Sequence, residues 1–148
     1  MVISKIPAIN LVAIDPGETT GVVEIKKGNL HDCYCISMDQ IMRESIPGTG
    51  IVGRWCKYDR WVIEEFRVYP SLPPMDPVLT ARLIGVLEAV ALWARIGITF
   101  QSASFVRQFS TDDWLRELGW WPGLAGQNRH IKDAARHAAC YLLRMRGK

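Results

Sequence analysis

Asn10-Leu-Val-Ala-Ile14-Asp15-Pro16-Gly17, followed closely by Thr20-Gly-Val-Val-Glu-Ile25, is the stretch on which the reading of the fold turns. The apolar, partly β-branched run from Asn10 to Ile14 stops at Asp-Pro-Gly, which predicts a central strand with Asp15 at its end and a tight turn after it. Composition of the β type resumes at Thr20, Lys27-Gly28-Asn29 supplies a second turn, and Leu30 to Ser37 reads as a third strand. Turns this short join neighbouring antiparallel strands, so the first 37 residues are expected to form a three-stranded meander.

Further along the chain, Met38 to Glu44 has weak helical character. Ile46-Pro-Gly-Thr-Gly50 then breaks the pattern and predicts an irregular stretch as far as Tyr58. Arg60-Trp-Val-Ile-Glu-Glu-Phe66 is another β-type run ending in acids. Pro70, Pro73, Pro74 and Pro77 predict an extended loop after it. Leu79 to Arg95 is long enough for a helix and apolar nearly all the way round, as expected of a helix covered on more than one side by sheet, helix or partner subunit. Ile98 to Gln101 predicts a short strand, Ser104 a helical turn, and Thr111-Asp-Asp-Trp-Leu-Arg-Glu117 a capped helix start. A Gly/Trp/Pro/Asn loop is expected from Gly119 to Arg129, and a last helix from His130 to Arg146. Strands and helices in this order describe an α/β sheet of mixed direction with helices on its faces.

The chain has 148 residues, 49% of them hydrophobic and 22% charged, enough for one sizeable core and too apolar for a disordered protein. A single domain over residues 1–148 is the expectation. Eighteen Lys and Arg against fifteen Asp and Glu leave +3, which excludes a polybasic protein. The surplus is uneven: residues 101–148 hold eight basic and four acidic side chains. The most hydrophobic run, Val78 to Trp93, is broken by Arg82 and Glu88, so no membrane span is expected. The N-terminus has no signal-peptide pattern, and a cytoplasmic location follows as an expectation. Cys33, Cys35, Cys56 and Cys140 lack Cys-x-x-Cys spacing and read as reduced thiols.

Three acids fall where burial should forbid them: Asp15 at a strand end, Glu64 in the fourth strand and Asp133 in the first turn of the last helix. Adjacent strand ends can bring the first two together, and a helix crossing that edge can add the third, with no buried cation in the local sequence. Such a cluster repels itself unless metal ions neutralise it. Hard oxygen ligands without cysteine suit Mg²⁺ or Mn²⁺, and a pair of such ions serves phosphodiester hydrolysis by stabilising attacking and leaving oxygens. An isolated Asp-Pro-Gly can also be a simple turn in which Asp bonds its own backbone. Glu64 and Glu65 face opposite sides of a strand, and spacing leaves open which one enters the site. His130 and His137 lie three residues before and four after Asp133 on one helical face; His130 is a candidate ligand, and His137 a ligand or a buried supporting group.

Leu11-Val-Ala-Ile-Asp15-Pro-Gly-Glu-Thr-Thr-Gly21, Val62-Ile-Glu64-Glu-Phe66, Thr80-Ala-Arg-Leu-Ile-Gly85 and His130-Ile-Lys-Asp133-Ala-Ala, in that order, resemble the RuvC-type Holliday-junction resolvases of the RNase H-like superfamily. The resemblance implies a five-stranded mixed sheet flanked by helices, a two-Mg²⁺ site in which Mn²⁺ can substitute, and a homodimer acting on branched DNA. It assigns Asp15, Glu64, His130 and Asp133 as catalytic and metal-binding residues, and it selects Glu64 over Glu65 because the acid directly after Ile63 aligns. In this scheme Asp15 and Asp133 share one ion and Glu64 with Asp15 holds the other. Compact divergent relatives of this kind are typical of bacteriophages, which would put the protein in a host cytoplasm. The Asp15–Gly21 turn is one residue shorter than in the bacterial resolvases, and 105–129 does not align with their junction-contacting elements.

Phosphate contacts away from the metals are expected from Arg107, Arg116, Arg129, Lys132, Arg136, Arg144 and Arg146, although a cationic helix end alone would account for the last two. Trp120-Trp121 could stack on unpaired bases or plug the core. Alternatives to a resolvase are a flap, fork or packaging nuclease with the same metals, or a relative that kept DNA binding and lost catalysis. The turn at Asp15 also resembles the phosphate loop of actin-like ATPases, which need two lobes and a longer chain.

Overall fold

A computed structural model describes residues 6–45, 49–66 and 77–146. Five strands form one sheet: β1 (Leu11–Asp15), β2 (Thr19–Lys26), β3 (Asn29–Ser37), β4 (Arg60–Glu64) and β5 (Gly97–Gln101), in the order β3-β2-β1-β4-β5. The first three are the expected antiparallel meander, while β1–β4 and β4–β5 run parallel. The β2–β3 hairpin turns at Lys27 and Gly28, both with positive φ, the backbone twist that a two-residue hairpin demands. This is the five-stranded mixed sheet flanked by helices that the sequence implied.

β1 is central, and Leu11, Val12, Ala13 and Ile14 are fully buried because helices cover both faces. Leu11 and Ala13 belong to the core under α7 (Arg129–Met145), with Val23, Val62 and the helix's Ala134, Ala135, Ala138 and Ala139. The small alanines let α7 lie close across β2, β1 and β4. Val12 and Ile14 join the opposite core with Trp55, Trp61, Ile63, Leu83 and Leu87. That core is closed by α1 (Met38–Arg43), α2 (Gly50–Trp55) and α3 (Pro77–Trp93), while α4 (Ala103–Phe109), α5 (Asp112–Glu117) and α6 (Trp121–Leu124) lead from β5 to α7.

The structure departs from the sequence expectations at three places. The supposedly irregular stretch before Tyr58 contains α2, a six-residue helix held by tertiary contacts: Trp55 Nε1 donates to the Tyr34 hydroxyl at 2.7 Å, and Trp61 Nε1 donates to the Trp55 carbonyl at 2.9 Å. A short helix, α6, interrupts the expected 119–129 loop. α3 buries one face, through Thr80, Leu83, Leu87, Val90 and Ala91, whereas Val78, Leu79, Leu92 and Trp93 are exposed; among the described residues it is not covered on several sides. The proline-rich loop lies outside the described residues except for Pro77, which starts α3. Among the described residues, no helix is long and apolar enough to cross a membrane, and all four cysteines are free thiols.

Candidate active site

Strand parity and a parallel pairing bring the first two acids to one edge. Ile14 pairs with Ile63, so Asp15 and Glu64 end neighbouring strands at the same level. Side chains alternate along a strand. Asp15 therefore shares the face of Ala13, and Glu64 the face of Val62, both of which lie under α7. Glu65 follows the end of β4, and its N–H donates to the Gln101 carbonyl at 2.8 Å. Spacing alone left the two glutamates open; register turns Glu64 to the face of the helix that carries Asp133.

α7 begins where the Asn128 side chain accepts from the Ile131 N–H at 3.1 Å. The helix thus starts one residue earlier than expected, and Asp133 opens its second turn rather than closing its first. His130 Nδ1 stands 3.4 Å from Asp15 Oδ2. The close seating depends on Gly21, opposite Asp15 in the β1–β2 register. A Cβ at Gly21 would lie 2.1 Å from the His130 carbonyl oxygen, inside any tolerable contact, so only glycine admits the first turn of α7 here.

Asp15 is largely buried, with its side chain 13% exposed. Burial, then the Glu64 charge, then the Asp133 charge push its pKa up from 3.8 to about 8, against the opposing pull of Arg129 and Arg107. Both other acids therefore act electrostatically on Asp15, and the two arginines turn positive charge toward the same place. The expectation of no buried cation nearby needs correction. Arg136 donates to Asp133 at 2.6 Å and to Asp112 at 2.7 Å, tying α5 to α7. Glu64 is also engaged: His137, itself buried, places Nε2 3.0 Å from Glu64 Oε2.

Among the described residues, no group of three or more His, Cys, Asp or Glu side chains is gathered tightly enough to hold a metal ion. Asp133 is turned to Arg136 and Glu64 to His137, which accounts for the spread of the donors. Their chemistry nevertheless fits a hard divalent cation. Burial and two like charges push the Asp15 pKa up, the condition that a cation reverses, and the donors are carboxylate oxygens with one imidazole.

The basic side chains divide. Arg107 and Arg129 act on Asp15; Arg116 and Lys132 lie over the Trp121 ring at 4.4 and 5.4 Å, and Arg144 lies over Phe105 at 5.0 Å. Trp120 is buried in the α7-side core, the plug of the two readings offered for the tryptophan pair, while Trp121 is half-buried. Sequence reasoning missed Gln101, Gly21 and Asn128. A lone glutamine ending an apolar strand and an Asn three residues before the first apolar residue of a helix were the available signals.

Sheet order, strand directions and the covering helices define the class of the fold, a RuvC/RNase H-like α/β domain. The chain is similar to a Thermus thermophilus RuvC solved in complex with a Holliday junction substrate, with a TM-score of 0.70 and 15% identity over 95% of this chain and 97% of that one. It is also similar to a second Thermus thermophilus RuvC structure, with a TM-score of 0.59 and 18% identity over 93% and 96% of the two chains. No family model matches the chain, and no curated protein matches it.

Proposed function

We propose that this chain is a single-domain, divalent-metal-dependent endonuclease that cleaves phosphodiester bonds in branched DNA, with four-way junctions as the preferred substrate. The observation that carries the reading is that Asp15 and Glu64 end neighbouring strands under the helix that carries Asp133, where burial first, and then the Glu64 and Asp133 charges, push the Asp15 pKa up. Similarity along nearly the whole chain to a RuvC in complex with a Holliday junction supports the substrate class. The apolar outer face of α3, with Leu92 and Trp93 exposed, supports action as a homodimer, whose two sites would make paired nicks. A compact chain this divergent from the bacterial structures is in keeping with a bacteriophage member working in the host cytoplasm.

Mg²⁺, or Mn²⁺ in its place, would supply Lewis-acid activation of a water nucleophile and stabilise the leaving oxygen. Asp15, Glu64 and Asp133 would hold the ions, and His130, beside Asp15, would ligate or orient at the same edge. Asp133 would have to leave Arg136 to hold a cation. Arg107 and Arg129 offer positive charge where a scissile phosphate would sit, an attraction that serves binding more than rate.

The test compares wild type with Asp15→Asn on a four-way junction, a 5′ flap, a Y-fork and a linear duplex of matched sequence, with Mg²⁺ or Mn²⁺. Symmetric paired nicks in the junction, absent in the variant, are expected. Equal or better cutting of flaps and forks would keep the site and replace the junction reading with a broader branched-DNA nuclease. Retained cleavage by Asp15→Asn would sink the mechanism, and DNA binding without any cutting would favour a non-catalytic relative.

A further inference from the structure

The side chain that orients Glu64 is not among the ligands, and it reaches a third element of the fold. His137 is 1% exposed, with its Nε2 3.0 Å from Glu64 Oε2 on β4 and its Nδ1 3.1 Å from Gln101 Oε1 at the end of β5. Gln101 is 3% exposed, and its Nε2 is a buried donor without a hydrogen-bond partner among the described residues. A neutral His137 ring fixes the polarity of the chain. A carboxylate oxygen only accepts, so the His137 nitrogen facing Glu64 must carry a hydrogen. In the neutral ring the other nitrogen is then bare, and it would face the Gln101 carbonyl oxygen, acceptor against acceptor, while the amide nitrogen stays unsatisfied. Turning the Gln101 amide end for end removes both faults, since carbonyl oxygen and amide nitrogen are interchangeable in shape.

We infer that Gln101 and His137 form a directed hydrogen-bond relay, Gln101 Nε2–H to His137 Nδ1 and His137 Nε2–H to Glu64, that makes both positioning residues for the Glu64 carboxylate. This rests on the proposal that Glu64 is a metal ligand. The relay fixes one carboxylate oxygen, Oε2, and does not engage the other. His137 cannot swing away, because the alanines around it on α7 are packed against the sheet. Gln101 fixes the plane of the imidazole from the far side. Removing such a support lowers metal affinity by about 10–100-fold in sites where a ligand's hydrogen-bond partner is deleted.

The experiment measures Mn²⁺ binding calorimetrically without DNA for wild type, His137→Leu, His137→Gln, Gln101→Leu and Asp15→Asn, alongside junction cleavage as a function of Mg²⁺. His137→Leu fills the space without a donor and should weaken Mn²⁺ by about 10–100-fold. It should raise the half-saturating Mg²⁺ by a similar factor, with most of the rate recovered at saturation. His137→Gln, whose amide nitrogen can donate from nearly the Nε2 position, should regain part of the affinity, and Gln101→Leu should lose less than His137→Leu. A purely structural role would lower the melting temperature and leave the Mn²⁺ midpoint unmoved, which overturns the inference. Because a variant of a buried residue can fail to fold, ¹⁵N NMR of wild type gives a second test: the Nε2–H tautomer of His137 is expected, and an Nδ1–H tautomer overturns the relay. Weakened Mn²⁺ binding in His137→Leu without DNA cleavage by any protein would uphold the relay and sink the nuclease reading. Failure of wild type to bind Mn²⁺ would overturn both.

Discussion

Asp15→Asn separates the electrostatic account of the site from its catalytic one. The Asp15 pKa is raised from 3.8 to about 8, so the folded protein holds a proton that the unfolded chain releases. Stability attached to this group is complete below pH 3.8 and is lost as pH climbs to about 8. Each unit of pKa difference corresponds to about 1.4 kcal/mol, so the loss between about pH 5 and pH 8 is roughly 4 kcal/mol. In a chain of this length that corresponds to a melting temperature lower by roughly 10 °C at the alkaline end. Asn has nearly the same shape and no titration, so Asp15→Asn should lose this slope and, without metal, be more stable than wild type near pH 8. Saturating Mg²⁺ should flatten the wild-type slope by binding the ionised carboxylate and should leave the variant's curve where it was. The assay is thermal melting of both proteins in chelator and in Mg²⁺ across this range. Parallel curves in chelator would refute the reasoning, because burial and the charges of Glu64 and Asp133 would then not be acting on Asp15.

Five other substitutions test the structure further. Glu64→Gln and Asp133→Asn should each lower junction cleavage by about a thousandfold or more, with DNA affinity changed only a few-fold in gel-shift titration, since on the proposed function bound metals would carry the rate and the basic side chains the binding. Arg136→Gln frees Asp133 from its 2.6 Å partner and parts α5 from α7; Mn²⁺ should bind more tightly by calorimetry while chemical denaturation shows a loss of about 1–3 kcal/mol. Gly21→Ala sets a methyl group against the His130 carbonyl, so a stability loss of about 2 kcal/mol or more and a weaker Mn²⁺ site are expected from melting and calorimetry. Glu24→Ala strips acceptors from Arg54, Tyr34 and Tyr58, all within 2.9 Å of its carboxylate, and should cost about 3 kcal/mol by denaturation with the metal affinity unchanged.

How far the fold could be read from the chain depended on whether the deciding contacts were local. The three meander strands were legible because Pro16-Gly17 and Lys27-Gly28 punctuate them within a few residues, and turn chemistry is a short-range property. α2 was not legible. Gly50 and Gly53 are poor helix formers, and the helix exists because Trp55 reaches Tyr34 and Arg54 reaches Glu24, 21 and 30 residues away. α3 shows a different limit. An apolar residue exposed on its outer face and one buried on its inner face have the same composition, so periodicity detected the helix and could not tell the face that packs on the core from the face left exposed.

The candidate site divides along the same line. Asp15 and Glu64 stood out because an acid closing an apolar run is a local contradiction, visible without knowing what lies across the sheet. Their neighbours were hidden because they arrive from far along the chain: Asp112 reaches Arg136 across 24 positions, Gln101 reaches His137 across 36, and His137 reaches Glu64 across 73. α7 is where these contacts meet. Its His130 faces Asp15, Asp133 is held by its own Arg136, and His137 holds Glu64, so each acid has a partner on this one helix. The distance of α7 from the sheet therefore bears on all three acids together, and that distance is set by a glycine on β2 and by alanines along the helix. A change in the packing of α7 should move metal affinity and rate together even when no proposed ligand is touched, because all three acids have a partner on it.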